Sequence, residues 1–376
     1  MPARTLRHAA LSVGLATAVL TTSVAAAAHA RPADHRPAPA TTTVGGVHAI
    51  TDGLARQLAV GLDDRTTDRV VVAATAAGPA DLLTVRFPAA TLTDAARTAN
   101  DRVLRAKGLP ATTGSVLRLR LALPDMHAAL ARGVSPLVAA APSDDLPASV
   151  TAYARGGVPV RLDAARIPAR PVLVVEVDTR RALTAGLSLM RTELARRGVG
   201  DSASTVRGRA TATAGYWATR IDALRLDDDM EPWIKGDAEI YSVVAGFGLD
   251  GKATVDLVQM PYLDDDGTTY RPNQILVHFA GYKYNLADVV MMEDDGDTNY
   301  QALVQAIVAA LLVVVDGGAY QPLVGAILDA IPTSWYTDDP DYVDSWYTLT
   351  STSGGRLDGA AGNGWLDVSP YFVQPL

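Results

Sequence analysis

Apolar side chains return at helical spacing at Ile50, Leu54, Leu58 and Val60 to Leu62, which predicts a first amphipathic helix. A second is predicted over Thr67 to Ala77, where Gly78-Pro79 stops it. A third runs from Thr93 or Asp94 to Lys107, with an acid near its start and Gly108 just past its end. The period then falls to two. Val116, Leu117, Leu119, Leu121 and Leu123, with Arg118 and Arg120 between them, predict a half-buried strand. Residues 136–142, 149–154 and 171–177 read as further strands, the last apolar enough to be central. Gly156-Gly157-Val158-Pro159 reads as a plain turn, and a helix follows at about 180–197.

From Tyr216 onward the pattern is that of short strands between Asp/Gly turns. The segments are Ala238 to Gly246, Thr254 to Met260, Gln274 to Tyr282, Ala287 to Met292, Trp346 to Ser351 and Val368 to Val373. Six such segments predict an antiparallel β-sandwich. One stretch interrupts it: TNYQALVQAIVAALL from Thr298, a break at Asp316-Gly317-Gly318, and an apolar run from Tyr320 to Ile331. This predicts an inserted αα-hairpin. Each arm is too short to span a bilayer, and the first carries Gln301 and Gln305. Two readings stay open, a helical pair packed on the sheet and a hairpin released to a membrane.

The expected fold class is therefore α+β: a helical and β domain at 47–212, then an acidic β-sandwich domain at 213–376 with a helical insertion at about 298–331. Arg4 and Arg7, an apolar run from about Ala9 to Ala28 and the tripeptide Ala28-His29-Ala30 make residues 1–30 a secretory signal peptide cut after Ala30. The polar segment 31–46 reads as a disordered leader. The expected location is extracellular, with no membrane span in the mature chain. Cysteine is absent, which excludes disulfides and a lipid-anchored cysteine.

The net charge of −8 conceals a division. Residues 31–221 carry 25 basic against 16 acidic side chains, net +9, and residues 222–376 carry 6 against 25, net −19. A boundary near 205–220 is expected. Nucleic acid is excluded as a partner, since the arginines of the first half form no basic block.

The acids of the second half gather in four places. These are Asp227, Asp228, Asp229 and Glu231 with Asp237 and Glu239; Asp264, Asp265 and Asp266; Glu293, Asp294 and Asp295 with Asp297; and Asp338, Asp339, Asp341 and Asp344. Each is expected at a strand end, so folding would bring several to one rim of a sandwich. Two carboxylates about 5 Å apart repel by roughly 3 kcal/mol at an effective dielectric near 20. A hard divalent cation relieves this, and Ca2+ accepts six to eight oxygens in irregular geometry. Calcium is thus the expected cofactor, with the acids of the first three groups, Glu293 apart, as candidate ligands. The alternative is a set of solvated acidic turns. Zinc and copper have few donors here, with no cysteine and six histidines. The EF-hand pattern fails, because Pro232 replaces its glycine and Glu239 falls one place late.

Recognised catalytic motifs are missing: there is no His-Glu-x-x-His, no Gly-x-Ser-x-Gly and no phosphate-cradling glycine loop. Gly200-Asp201-Ser202 trails a helix and lacks a downstream Asp-x-x-His. Carboxylate-dependent hydrolysis stays open because acids abound. Trp217, Trp233, Trp335, Trp346 and Trp365 all fall in the acidic half, where they either fill a core or line a glycan cleft. The functional expectation is a secreted, calcium-stabilised binding or structural module for an extracellular ligand such as a glycan or lipid surface. The alternatives are a hydrolase and a membrane-directed effector.

The passage DDDMEPWIKGDAEIYSVV, with Arg220-Ile221-Asp222 upstream, resembles a family of exported bacterial proteins catalogued as domain of unknown function 3103. The likeness runs from about residue 50 to the end. It is strongest at Glu231-Pro232-Trp233 and Gly236-Asp237-Ala238-Glu239-Ile240-Tyr241, and it implies no activity. More loosely, acidic loops on a sandwich look like the calcium-binding domains known as C2, an architectural likeness only.

Overall fold

The computed structural model describes residues 46–62, 65–76, 78–142, 147–200, 215–227, 234–235, 238–294, 296–331 and 342–375. The signal peptide, nearly all of the leader, the expected domain boundary at 212, Asp201-Ser202 and Glu231-Pro232-Trp233 lie outside these residues.

The helices of the first half are α1 (Val47–Gly61), α2 (Arg65–Thr75), α3 (Ala90–Ala106), α4 (His127–Ala131) and α5 (Thr179–Arg197). Its strands are β1 (Ala80–Asp81), β2 (Leu117–Leu121), β3 (Leu137–Ala140), β4 (Ser149–Ala154), β5 (Val158–Asp163) and β6 (Val172–Val177). They form one sheet in the order β1-β2-β6-β3-β4-β5, parallel only where β3 meets β6. Central β6 is buried at all its positions, as its apolar run predicts. One face of the sheet, with Leu119, Val138, Leu173 and Val175, packs into a cluster with α1 and α3. The other face, with Leu137, Ala139, Val172 and Val174, forms a smaller cluster that includes Met126 and Ile234.

The Gly-Gly-Val-Pro stretch is more than a turn. Gly156 and Gly157 take φ of 74° and 73°, a left-handed conformation that glycine adopts without strain. The chain thereby doubles back, and Val158 opens β5 against Ala154 of β4.

The second half contributes β7 (Tyr216–Leu226), β8 (Ile240–Phe247), β9 (Ala253–Gln259), β10 (Gln274–His278), β11 (Leu286–Glu293), α6 (Tyr300–Leu312), α7 (Val324–Ala330), β12 (Tyr342–Thr350), β13 (Gly355–Asp358) and β14 (Gly364–Val373). They make two antiparallel four-stranded sheets, β10-β7-β14-β13 and β12-β11-β8-β9. Ile221, Leu224, Leu366 and Val368 of the first share an apolar cluster with Val244, Val289, Met291 and Trp346 of the second. The mixed α+β class expected from periodicity is thus observed. The eleven-residue β7 departs from the sequence reading, because Thr219 and Ala223 are buried beside Ala218 and Leu224 and blur its alternation. The arm expected over 320–331 is helical only as α7.

β8 is buried at every position. Its Ile240 and Val244 face the first sheet, while Tyr241, Val243, Ala245 and Phe247 join the cluster that holds α1, α3, α5 and α6. The largest core of the protein is therefore continuous across the basic and acidic stretches of sequence. At its centre α5 crosses α6 closely: a Cβ on Gly186 would overlap the Tyr300 ring.

Candidate functional site

Where these layers meet, the charged residues of the two halves are buried against each other. Lys107, just past the end of α3, has no exposed side-chain surface. Its Nζ donates to Asp294 Oδ1 at 3.2 Å and to the Gly296 carbonyl at 2.7 Å, and lies 5.0 Å from the centroid of the Tyr300 ring. Tyr300 OH donates to Asp294 Oδ2. Burial, then the neighbouring carboxylate, push the Tyr300 hydroxyl well above its usual range, so it stays a donor. The backbone adds Tyr300 N to Lys107 O at 3.1 Å and Asn299 Nδ2 to Ala106 O at 2.7 Å. Gly108 ends α3 at φ 64°, and a side chain there would strike Asn299 and Gln301.

A second layer runs along β2 and the start of α5. Arg118 and Arg120 both donate to the buried Glu176 carboxylate of β6. Arg120 Nη2 reaches across to the Ile234 carbonyl at 2.8 Å. Asp178 caps α5 by accepting from Arg181 N at 3.1 Å. Thr179 Oγ1 donates to Glu239 Oε1 at 3.1 Å. Arg180, half exposed, stands 3.9 Å from Glu239 Oε1 and 3.8 Å from Asp264 Oδ1, one cation between two acids. Glu239 Oε2 is buried and accepts no hydrogen bond among the described residues. Desolvation pushes this carboxyl up to about 7, against the pull of Arg180 and Thr179 and with a further push from Asp294.

The acids singled out by sequence divide accordingly. Glu239, Asp264 and Asp294 converge on the junction, and Asp294 N donates to the Glu239 carbonyl at 3.1 Å. The others among the described residues do not join them. Asp227 pairs with its own strand neighbour Arg225 at 3.1 Å and remains largely exposed. Asp265 accepts from Tyr270 OH at 3.3 Å, and Asp266 is exposed. Asp297 lies by the start of α1, where a Cβ on Gly46 would sit 3.8 Å from its Oδ2. Asp228, Asp229, Glu231, Asp237 and Asp295 lie outside the described residues, as do Asp338, Asp339 and Asp341. Among the described residues, no three His, Asp or Glu side chains are grouped to hold a metal ion.

Asp344 is a correction to the expectation that every acid cluster sits at a strand end. It lies inside β12, fully buried, and accepts from the backbone N–H groups of Ser345, Ala361, Asn363 and Gly364 at 2.7–3.1 Å. It organises the turn before β14. Asp288 of β11 does the same for Leu323 N and Thr348 N. Burial pushes both carboxyls up against these donors. Sequence reading also missed Lys107, Thr179 and Arg180. The one signal that pointed to them is the +9 against −19 division itself.

The tryptophans split as well. Trp346 is buried and donates to the Leu357 carbonyl at 3.0 Å, Trp217 is half exposed against Phe372, and Trp365 stacks under Arg356. His278 is satisfied by Tyr216 OH at 2.9 Å.

The family described as "Protein of unknown function (DUF3103)" matches residues 49–376. The chain belongs to this family. No curated protein and no solved structure matches. The match spans both halves, so the buried junction lies wholly inside the family's extent. Among the described residues, no helix is long and apolar enough to cross a membrane.

Chemically, the junction sets Asp294 against one buried ammonium, Lys107, and Glu239 with Asp264 against one half-exposed guanidinium, Arg180. It can exchange a proton at Glu239 near neutral pH.

Proposed function

We propose that the protein is an exported binding or structural module whose acidic half is stabilised by calcium at the Glu239–Asp264 edge of the junction. The observation that carries this reading is Glu239 Oε2, a buried carboxylate oxygen that no donor reaches among the described residues. Its nearest cation, Arg180, is half exposed and shared with Asp264, so it can swing into water and yield its place. A hard cation there would take oxygen ligands that are otherwise costly to leave charged. Two described carboxylates are too few for a whole calcium shell, and waters and neighbouring oxygens would complete it. The two facing sheets of the acidic half suit a C2-like scaffold for such an edge site.

The test is a thermal melt at pH 8 in millimolar calcium against chelator, on wild type and Glu239→Gln. Calcium is expected to raise the wild-type melting temperature, magnesium less so, and to leave E239Q unmoved. Equal melting of wild type in calcium and chelator refutes the reading.

A second reading rests on one specific observation. A buried carboxyl near pH 7 is the form in which a general acid is found in hydrolases. A panel of glycosides and esters decides it, since turnover abolished by E239Q supports a carboxylate-dependent hydrolase and absence of turnover removes it.

A further inference from the structure

A cleft of about 590 Å3 opens at the end of β2, a volume typical of small-molecule sites. Its lining includes Arg118, Arg120, His127 and Lys235, and none of the described residues that line it is acidic. In a chain of net charge −8 this is a local inversion.

Arg118 and Arg120 stand two apart on β2, so the period of the strand sends both to one side. Glu176, 4 % exposed, takes both Nε groups. The two guanidiniums share this one buried carboxylate, and Asp178 stands by Arg118 as a second acid. Arg120 is spent on protein acceptors: its Nη1 donates to the Leu121 and Ala122 carbonyls at 3.2 and 3.0 Å and its Nη2 to Ile234 O at 2.8 Å. Arg118 is not. Asp178 stands 3.9 Å from its Nη1, beyond hydrogen-bond reach, and neither terminal nitrogen makes a hydrogen bond among the described residues.

The Arg118 fork is therefore fixed at its base by Glu176, while its terminal nitrogens, with Asp178 3.9 Å away, make no hydrogen bond among the described residues and can receive a carboxylate or phosphate by two parallel hydrogen bonds. His127, exposed at the start of α4, supplies a second nitrogen, and Leu123 with Pro124 supplies an apolar wall. We infer that this cleft binds a small organic oxyanion, a carboxylate or phosphate monoester carried on a compact apolar body, with Arg118 and His127 as its principal donors. The donors of this site, Arg118 and His127, differ from the carboxylates of the calcium edge, although Arg118 and Glu239 feel each other's charge.

Calorimetric titration of the full chain with phenyl phosphate and with benzoate tests it, with phenol and benzamide as neutral counterparts. At least one anion is expected to bind and neither neutral compound to do so; which anion responds separates phosphate from carboxylate recognition. Arg118→Gln is expected to weaken binding tenfold or more and His127→Gln severalfold. His127 is exposed and bears on no core, so H127Q decides the matter should R118Q fail to fold. The inference is overturned by wild type that binds neither anion, or by H127Q and folded R118Q that bind as wild type does. It is overturned too if anions bind only after Asp228, Asp229 and Glu231 are changed to amides, which would mark the cleft as a seat for the chain's own acids.

Discussion

Glu239 takes a hydrogen bond from Thr179 Oγ1 at 3.1 Å through one oxygen, while its other oxygen is buried without a donor among the described residues. Half of a carboxylate is thus solvated by the protein and half is not. Its folded pKa of about 7 lies above the ordinary value of 4.5, so the native state holds a proton that the unfolded chain has released. Stability from this group is full below pH 4.5 and is lost as pH rises to about 7. The loss amounts to a few kcal/mol, since each tenfold difference in proton affinity between folded and unfolded chains is worth about 1.4 kcal/mol. Urea unfolding between pH 5 and 8 in chelator should show that decline in wild type and a flatter profile in E239Q. A wild-type profile as flat as that of E239Q would contradict it.

Gly186 has no room for a side chain. Its Cβ would enter the Tyr300 ring, which is fully buried and held by its hydroxyl on Asp294. Gly186→Ala gains helix propensity but forces α5 off α6, and the overpacking is expected to dominate, with a loss of about 1–3 kcal/mol. A chemical denaturation midpoint at or above that of wild type would show that the helices can part without cost.

Asp344→Ala leaves backbone N–H groups of Ser345, Ala361, Asn363 and Gly364 without their buried acceptor. The expected loss is about 3 kcal/mol or more, and Asp344→Asn, which keeps one carbonyl oxygen, should lose less. Hydrogen exchange over 359–364 reads this directly: the amides of Ala361 and Gly364 should exchange faster in D344A, and unchanged protection would refute the role.

Most elements of the first half were legible because their periods are clean, though the two-residue β1 and the five-residue α4 are too short to leave a period. β6 is a run of apolar residues long enough for a central strand, and the alternation of β2 even placed Arg118 and Arg120 together. β5 was not, since its signal is two glycines that read as a turn and a Pro that argues against a strand. The site was legible as charge but not as partnership. Composition showed acids in excess, and Glu239 and Asp264 do share one cation, Arg180, while Asp294 meets Lys107. What periodicity cannot show is which cation from a distant segment meets them: Lys107 and Asp294 are 187 residues apart. Nor does a local pattern separate Asp344, which holds a turn, from acids that face water, because both are written as Asp within an acid-rich stretch.

The central claim is that the basic stretch supplies buried cations to the acidic one, and the Lys107–Asp294 pair carries it most fully. Breaking a buried pair by removing one partner costs about 3–5 kcal/mol, because the other charge stays behind. A double-mutant cycle with Lys107→Met, Asp294→Asn and the two combined, followed by urea unfolding at pH 7, measures the coupling. Each single change is expected to destabilise strongly, and the double variant to lose about 2 kcal/mol less than the two losses added. Additive losses, with a coupling near zero, would contradict the account.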